Sequence, residues 1–216
     1  FWINNSASGN LLYTYEQLTE EDFAFFESLP ISFRYEREGC PAITCCHGSP
    51  DNNRELLQLG GGNTKRWLEK VDTDYLLCAH THFPGEFSYK GKHYFNSGCV
   101  GISINDAGYA QCMTLELVET GAGTEWKPEF MRVPYDNGRV VEDIVRCGLL
   151  DRAPWFINSN IQTLLTGEDH AAEMCALAAK LSEEAGEKDV WPLTGESYFA
   201  RAAEALGIPD YRRKQG

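Results

Sequence analysis

Two histidines one residue apart follow the apolar run in LLCAHTHFPG, residues 76–85, and a third follows the apolar run in ITCCHGSP, residues 43–50. The chain has only five histidines, so three of them fall in two similar settings: a short apolar stretch, then His, then turn-forming residues. Imidazole is the commonest metal ligand and binds in its neutral form, which an unperturbed His largely has near pH 7. Alternate residues of an extended segment point to one side, so His80 and His82 are expected to converge on one point or on two neighbouring points. The chemistry open to His47, His80 and His82 together is the holding of divalent cations. Taken singly, a His near a strand end is more often a hydrogen-bonded core or surface residue than a ligand; the case rests on both motifs reaching the same place.

The elements around them supply that place. AITCCH is a short apolar run between Pro41 and Gly48-Ser49-Pro50, which reads as a buried strand ending at His47. NTKRWLEKV after the glycines at 60–62 reads as a helix starting at Asn63, and DYLLCAH as a second buried strand. Strand, helix and strand, with both strands apolar throughout, predicts parallel pairing under a crossover helix. Both strands then end at the same sheet edge, the edge where open α/β sheets bind ligands.

Elsewhere, EFSYKGKHYFNSG alternates on either side of Lys90-Gly91-Lys92 and predicts a β-hairpin. AQCMTLELV and EFMRVPYD predict two more strands. LTEEDFAFFESLP predicts a helix capped by Thr19 with Asp22 and stopped by Pro30. Past about Asn137 helical periodicity dominates, with Thr166 and Asp169 repeating the capping pattern before the longest helix. The division expected is a sheet-bearing part over 1–136 and a helical extension over 137–216. Trp155, Phe156, Trp191, Tyr198 and Phe199 are expected to form the extension's packing seam, and His93 and His170 to be surface residues.

Composition bounds the partners. The 216 residues suffice for one well-buried domain or one plus an appendage. A net charge of -13 disfavours a nucleic-acid duplex or an anionic membrane as a broad partner, since both would be repelled. No apolar run approaches the roughly 18 residues of a membrane span, and no basic-then-apolar start resembles a secretory signal. The eight cysteines fall largely inside apolar runs, where free Cys behaves as a small hydrophobe, so a reduced, cytoplasmic protein is expected. The chain begins at Phe1 and is expected to be the downstream part of a longer product. A structural zinc site drawn from Cys45, Cys46, His47, Cys78, His80 and His82 is the competing use of these ligands. Adjacent Cys45 and Cys46 on a strand point to opposite faces, however, and cannot both meet one ion.

CCHGSP, CAHTHFPG and NSGCVG, in that order, resemble the closing motifs of the calcineurin-like metallophosphoesterase superfamily, in particular its small bacterial phosphoesterase branch. The upstream SASGNLLYTYEQLTEEDFAFFESLP is similar to a segment of some Gram-positive members, so the resemblance extends over nearly the whole chain. It implies an α/β fold: a metallophosphoesterase-type β-sandwich flanked by helices, here its C-terminal portion. It also implies a dinuclear centre of Mn, Fe or Zn, with His47 and His80 on one ion and His82 on the other. Paired cations of that kind, about 3.5–4 Å apart, neutralise phosphate oxygens and ionise a water that attacks phosphorus.

The family's earlier motifs, Asp-x-His, Gly-Asp and Gly-Asn-His, have no counterpart here, and Gly9-Asn10 reads as an ordinary turn. Three histidines without a carboxylate do not hold two divalent ions against their mutual repulsion. No catalytic residue is assigned. Ala79 stands for the family's Gly, and Ser97-Gly98-Cys99 for Pro-Gly-Ser, with packing rather than nucleophilic chemistry expected of Cys99. The function implied is hydrolysis of a phosphomonoester or phosphodiester, of a small molecule or nucleotide, by metal-activated water. The alternative is a non-catalytic α/β binding or scaffold protein with a degenerate metal site. Substrate and oligomeric state stay open.

Overall fold

The computed structural model describes residues 2–121, 123–187 and 191–212, and the chain divides into two compact units. One comprises 25–103 and 109–135; the other comprises 1–24, 104–108 and 136–216. The division differs from a cut after residue 136 in that the first 24 residues group with the helical tail. The elements run α1 (Gly9–Gln17), α2 (Glu20–Ser28), β1 (Ser32–Tyr35), β2 (Ile43–Cys46), α3 (Gly62–Lys70), β3 (Tyr75–Cys78), β4 (Gly85–Tyr89) and β5 (Lys92–Asn96). A long hairpin follows, β6 (Tyr109–Thr120) and β7 (Gly123–Pro134), then α4 (Asn137–Arg146), α5 (Leu149–Arg152), α6 (Pro154–Thr166), α7 (His170–Glu184) and α8 (Glu196–Ala205).

In the sheet-bearing unit the five strands lie in the order β1-β2-β3-β5-β4. The β2–β3 and β3–β5 pairs are parallel, as two all-apolar strands joined by a helix predict, while β1 and β4 close the edges antiparallel. The hairpin of β4 and β5 turns at Lys90-Gly91, where the alternation places it. Both faces of the central strands are covered. Leu76, Cys78 and Tyr94 pack with Trp67 and Leu68 of α3 on one side. Ile43, Tyr75 and Phe95 pack with Met113, Leu115 and Trp126 of the β6–β7 hairpin on the other. Period-two alternation therefore sends Cys46 to the α3 face and Cys45 to the hairpin face.

The helical unit is held by a seam of Met174, Ala178, Phe199, Ala202 and Ala203, against which Trp155 and Phe156 pack. Tyr198 and Phe199 join that seam as expected, whereas Trp191 is half exposed, its indole Nε1 donating to Ala7 O at 2.6 Å. Thr19 and Asp22 make the expected reciprocal cap: Thr19 N donates to Asp22 Oδ2 at 2.8 Å and Asp22 N to Thr19 Oγ1 at 3.3 Å.

Three local expectations are corrected. The cap of α7 is Asp169, accepting from Ala172 N at 3.0 Å, because Thr166 is the last residue of α6 and bonds back to Gln162 O. Gly9-Asn10 opens α1 instead of forming a turn, and a Cβ on Gly9 would lie 1.8 Å from Arg152 O, so the helix depends on glycine for close approach. His170 is largely enclosed: its side chain is 17% exposed, with Nε2 lying 3.5 Å from Glu168 Oε2. No described helix is long and apolar enough to cross a membrane.

Candidate metal site at the carboxyl edge of the sheet

Because β2, β3 and β5 run parallel, the three residues or loops that follow them, His47, 79–82 and 97–99, leave from one edge of the sheet. The last rung of the pairing lies beyond the strands themselves: Ala79 N donates to His47 O at 2.9 Å. This rung carries the two histidine motifs side by side. His47 stands one residue past the end of β2, its ring partly enclosed beside His80. The turn after it needs Gly48, which is buried and would bring a Cβ within 2.7 Å of Asn53 O and 2.8 Å of Asn52 O. Ser49 Oγ, wholly buried, bonds Asn52 within the same turn.

His80 and His82 are reached differently from the sequence expectation. The strand ends at Cys78, and both histidines adopt left-handed backbone, with φ of 62° and 59°. Alternation along an extended segment therefore does not describe them. Left-handed conformations are uncommon for any residue but glycine, and such strain concentrates where surrounding structure holds a functional group in place. Here the holding residue is Asn96, fully buried at the end of β5. Its Nδ2 donates to Ala79 O at 2.6 Å and to Thr81 Oγ1 at 3.0 Å, while its Oδ1 accepts from Gly98 N at 2.9 Å. One side chain thus ties the His-x-His loop to the loop after β5. In the sequence Asn96 stands only within NSGCVG, and the signal for its role is an Asn at the end of an apolar strand, where an unpaired amide is costly.

The left-handed turns send the two imidazoles to different neighbours. His80 Nδ1 lies 3.1 Å from His47 Nε2, and its Nε2 lies 3.3 Å from Arg54 O. A carbonyl only accepts, so the ring proton of His80 is assigned to Nε2 and the Nδ1 lone pair faces His47. His82 Nδ1 lies 2.9 Å from Ile102 O, which assigns its proton to Nδ1 and makes Nε2 the accepting nitrogen of the ring. Ring N–H groups anchored on carbonyls in this way are the usual orientation of metal-binding imidazoles. The His82 ring also bonds the Cys99 thiol, which it holds below the ordinary range although burial acts in the opposite sense. Cys99 is fixed through its backbone: its carbonyl accepts from Gln111 N at 2.8 Å and from Ser103 Oγ at 2.9 Å. Gly98 before it has φ of 81°, and a Cβ there would meet Gln111 Oε1 at 2.6 Å.

Burial pushes the pKa of His47 down, and charge on His80 and His82 pushes it further the same way. The imidazole is therefore kept in the neutral, metal-competent form. The structure brings His47 and His80 together and sets His82 apart with Cys99. Among the described residues no group of three or more His, Cys, Asp or Glu is placed to hold an ion, so the pair His47–His80 supplies part of a coordination sphere and no more. The mixed-thiolate zinc site is likewise absent among the described residues, with Cys45 turned to the opposite face. His93 lies on β5, stacked on Tyr75 at 5.0 Å with its Nδ1 3.0 Å from Ser88 Oγ, and takes no part in the site.

No family model matches the chain, and no curated protein matches it. Solved structures do. A hypothetical protein from Pyrococcus horikoshii is similar over 72% of this chain and 57% of its own, at 22% identity and a TM-score of 0.56. A metallophosphoesterase from Sphaerobacter thermophilus is similar over 72% of this chain and 66% of its own, at 21% identity and a TM-score of 0.55. The chain therefore spans less than two thirds of the length of either, and what the likeness shows is the fold: a mixed α/β architecture with a central sheet and helices, as in that metallophosphoesterase.

Proposed function

We propose that this chain, which has the metallophosphoesterase fold, is the histidine-bearing part of a metal-dependent phosphoesterase. In this reading His47 and His80 hold one divalent cation and His82 contributes to a second. The observation that carries it is the 3.1 Å approach of His47 Nε2 to His80 Nδ1 at the carboxyl edge of a parallel sheet. The two ring nitrogens, 3.1 Å apart, are the atoms that would together hold such an ion. The imidazole donors suit Mn, Fe or Zn better than Mg or Ca.

A divalent cation held there would supply Lewis-acid chemistry toward a phosphate ester. The chain's own residues orient the ligands: Arg54 O and Ile102 O fix the two ring protons, and Asn96 holds the loop that carries them. The substrate would be a phosphomonoester or phosphodiester of a small molecule or nucleotide, since a chain of net charge -13 repels a duplex. Eight free thiols among the described residues suit a reducing compartment, which is why we place the protein in the cytoplasm.

One observation favours a second reading, a non-catalytic binding protein on the same fold: no carboxylate joins the histidines into a complete site among the described residues. Metal counting and calorimetry with Mn²⁺ and Zn²⁺, followed by an aryl phosphate assay, separate the two. Metal-dependent hydrolysis that is lost in His47→Ala and His80→Ala supports the enzyme. Ion binding without hydrolysis supports the binding protein. Failure to bind either ion overturns the enzyme and leaves a non-catalytic binding or scaffold protein.

A further inference from the structure

Directly beneath the histidine pair lie two thiols that the metal reading does not use. Cys45 pairs with Leu77 in the β2–β3 register, which makes Cys46 and Cys78 the next neighbours across the same parallel pair. Both face α3, and their Sγ atoms are 3.3 Å apart. Adjacent strands run about 4.8 Å apart, inside the Cα separation that a disulfide spans. Cys78 is 2% exposed, whereas Cys46 is half buried, so a small oxidant meets Cys46 first. A cavity lined by Cys46, Cys78, His47 and Phe33 opens at this point.

We propose that Cys46 and Cys78 form an oxidisable dithiol, a modification site for hydrogen peroxide, whose closure to a disulfide weakens metal binding by His47 and His80. Cys46 Sγ attacks the peroxide O–O bond, giving a sulfenic acid and one water. Cys78 Sγ then displaces the sulfenic oxygen, which leaves as a second water when the S–S bond forms. Two thiols lose two electrons and two protons, and one peroxide becomes two waters. The coupling to the site is direct. His47 follows Cys46, His80 lies two residues beyond Cys78, and the Cys46 thiol also donates to Gly48 O at 3.5 Å under the His47 turn. Bonding the two sulfurs, now 3.3 Å apart, removes the Cys46 S–H and with it the hydrogen bond to Gly48 O that supports the His47 turn.

The bridge stands independently of the proposed function, while its effect on ions rests on that reading. The folded chain is treated with dilute hydrogen peroxide, alkylated, and analysed by intact mass and peptide mapping, then titrated with Zn²⁺ before and after reduction. The expected product is two hydrogens lighter and carries a peptide joining Cys46 to Cys78. It is absent in Cys46→Ser and present in Cys45→Ser, whose residue lies on the other face. Zinc affinity is expected to fall at least about tenfold on oxidation and to return on reduction, the scale on which ligand orientation acts. Absence of the joined peptide in native-like protein overturns the proposal, and a bridge that leaves zinc affinity unchanged overturns the coupling. A reduced chain that binds no zinc yet still forms the bridge refutes the metal reading and with it the coupling, while the dithiol survives.

Discussion

The imidazoles of His47 and His80 stand 3.1 Å apart, Nε2 to Nδ1, across a separation of 33 residues in the chain. Their tilt, 55° between ring planes with centroids 4.8 Å apart, is not stacking; the rings meet by their nitrogens. Two neutral imidazoles arranged this way either share one proton or share one cation. Removing either ring by His47→Ala or His80→Ala is expected to lower Zn²⁺ or Mn²⁺ affinity by more than about tenfold, read by calorimetry. His82→Ala, acting on a ring that faces Ile102 and Cys99, is expected to leave the tighter ion in place. Equal losses in all three variants would contradict the separation into a pair and a single ring.

The pH dependence follows from the same pair. Burial first, then His80 and His82, hold the pKa of His47 below its ordinary 6.5, so the folded chain binds this proton more weakly than the unfolded chain does. Stability from this group is complete above about pH 6.5 and declines as pH falls from there through the lowered folded value, with no further change below it. Urea unfolding of metal-free protein between pH 7.5 and 5 should show this decline, and His47→Gln should reduce its slope. An unchanged slope in the variant would assign the effect to other groups.

Asn96 tests whether the loops act together. Replacing it by alanine leaves Ala79 O, Thr81 Oγ1 and Gly98 N without their shared partner, a change expected to cost about 1–3 kcal/mol. Metal affinity should fall with it, although Asn96 is not itself among the proposed ligands. Loss of stability with unaltered affinity would confine Asn96 to packing.

The core makes a prediction free of the metal. Leu76 is wholly buried between α3 and the central strands, so Leu76→Ala should destabilise the sheet-bearing unit by about 2–5 kcal/mol in chemical denaturation.

The helix caps offer a smaller test in the other unit. Asp169 accepts from Ala172 N at 3.0 Å, and Asp169→Ala should cost about 1 kcal/mol, whereas Thr166→Ala, outside the cap, should cost less. The reverse order would restore Thr166 as the cap.

The parallel pairing of β2 with β3, the hairpin at Lys90-Gly91 and the edge from which both histidine motifs leave are legible in the sequence, because apolar runs, alternation and turn residues are local signals that tertiary packing here reinforces. The opposite orientation of Cys45 and Cys46 was legible for the same reason. What no local pattern carried was the direction of the histidine side chains. Left-handed backbone at His80 and His82 is unfavourable in isolation and exists because buried Asn96, contributed by a strand further along the chain, grips the loop. Nor could composition show that His82 would turn to Cys99, or that two thiols would meet under His47. Those outcomes depend on which groups the completed sheet brings within 3 or 4 Å, a matter of registers and long-range hydrogen bonds among residues far apart in the chain.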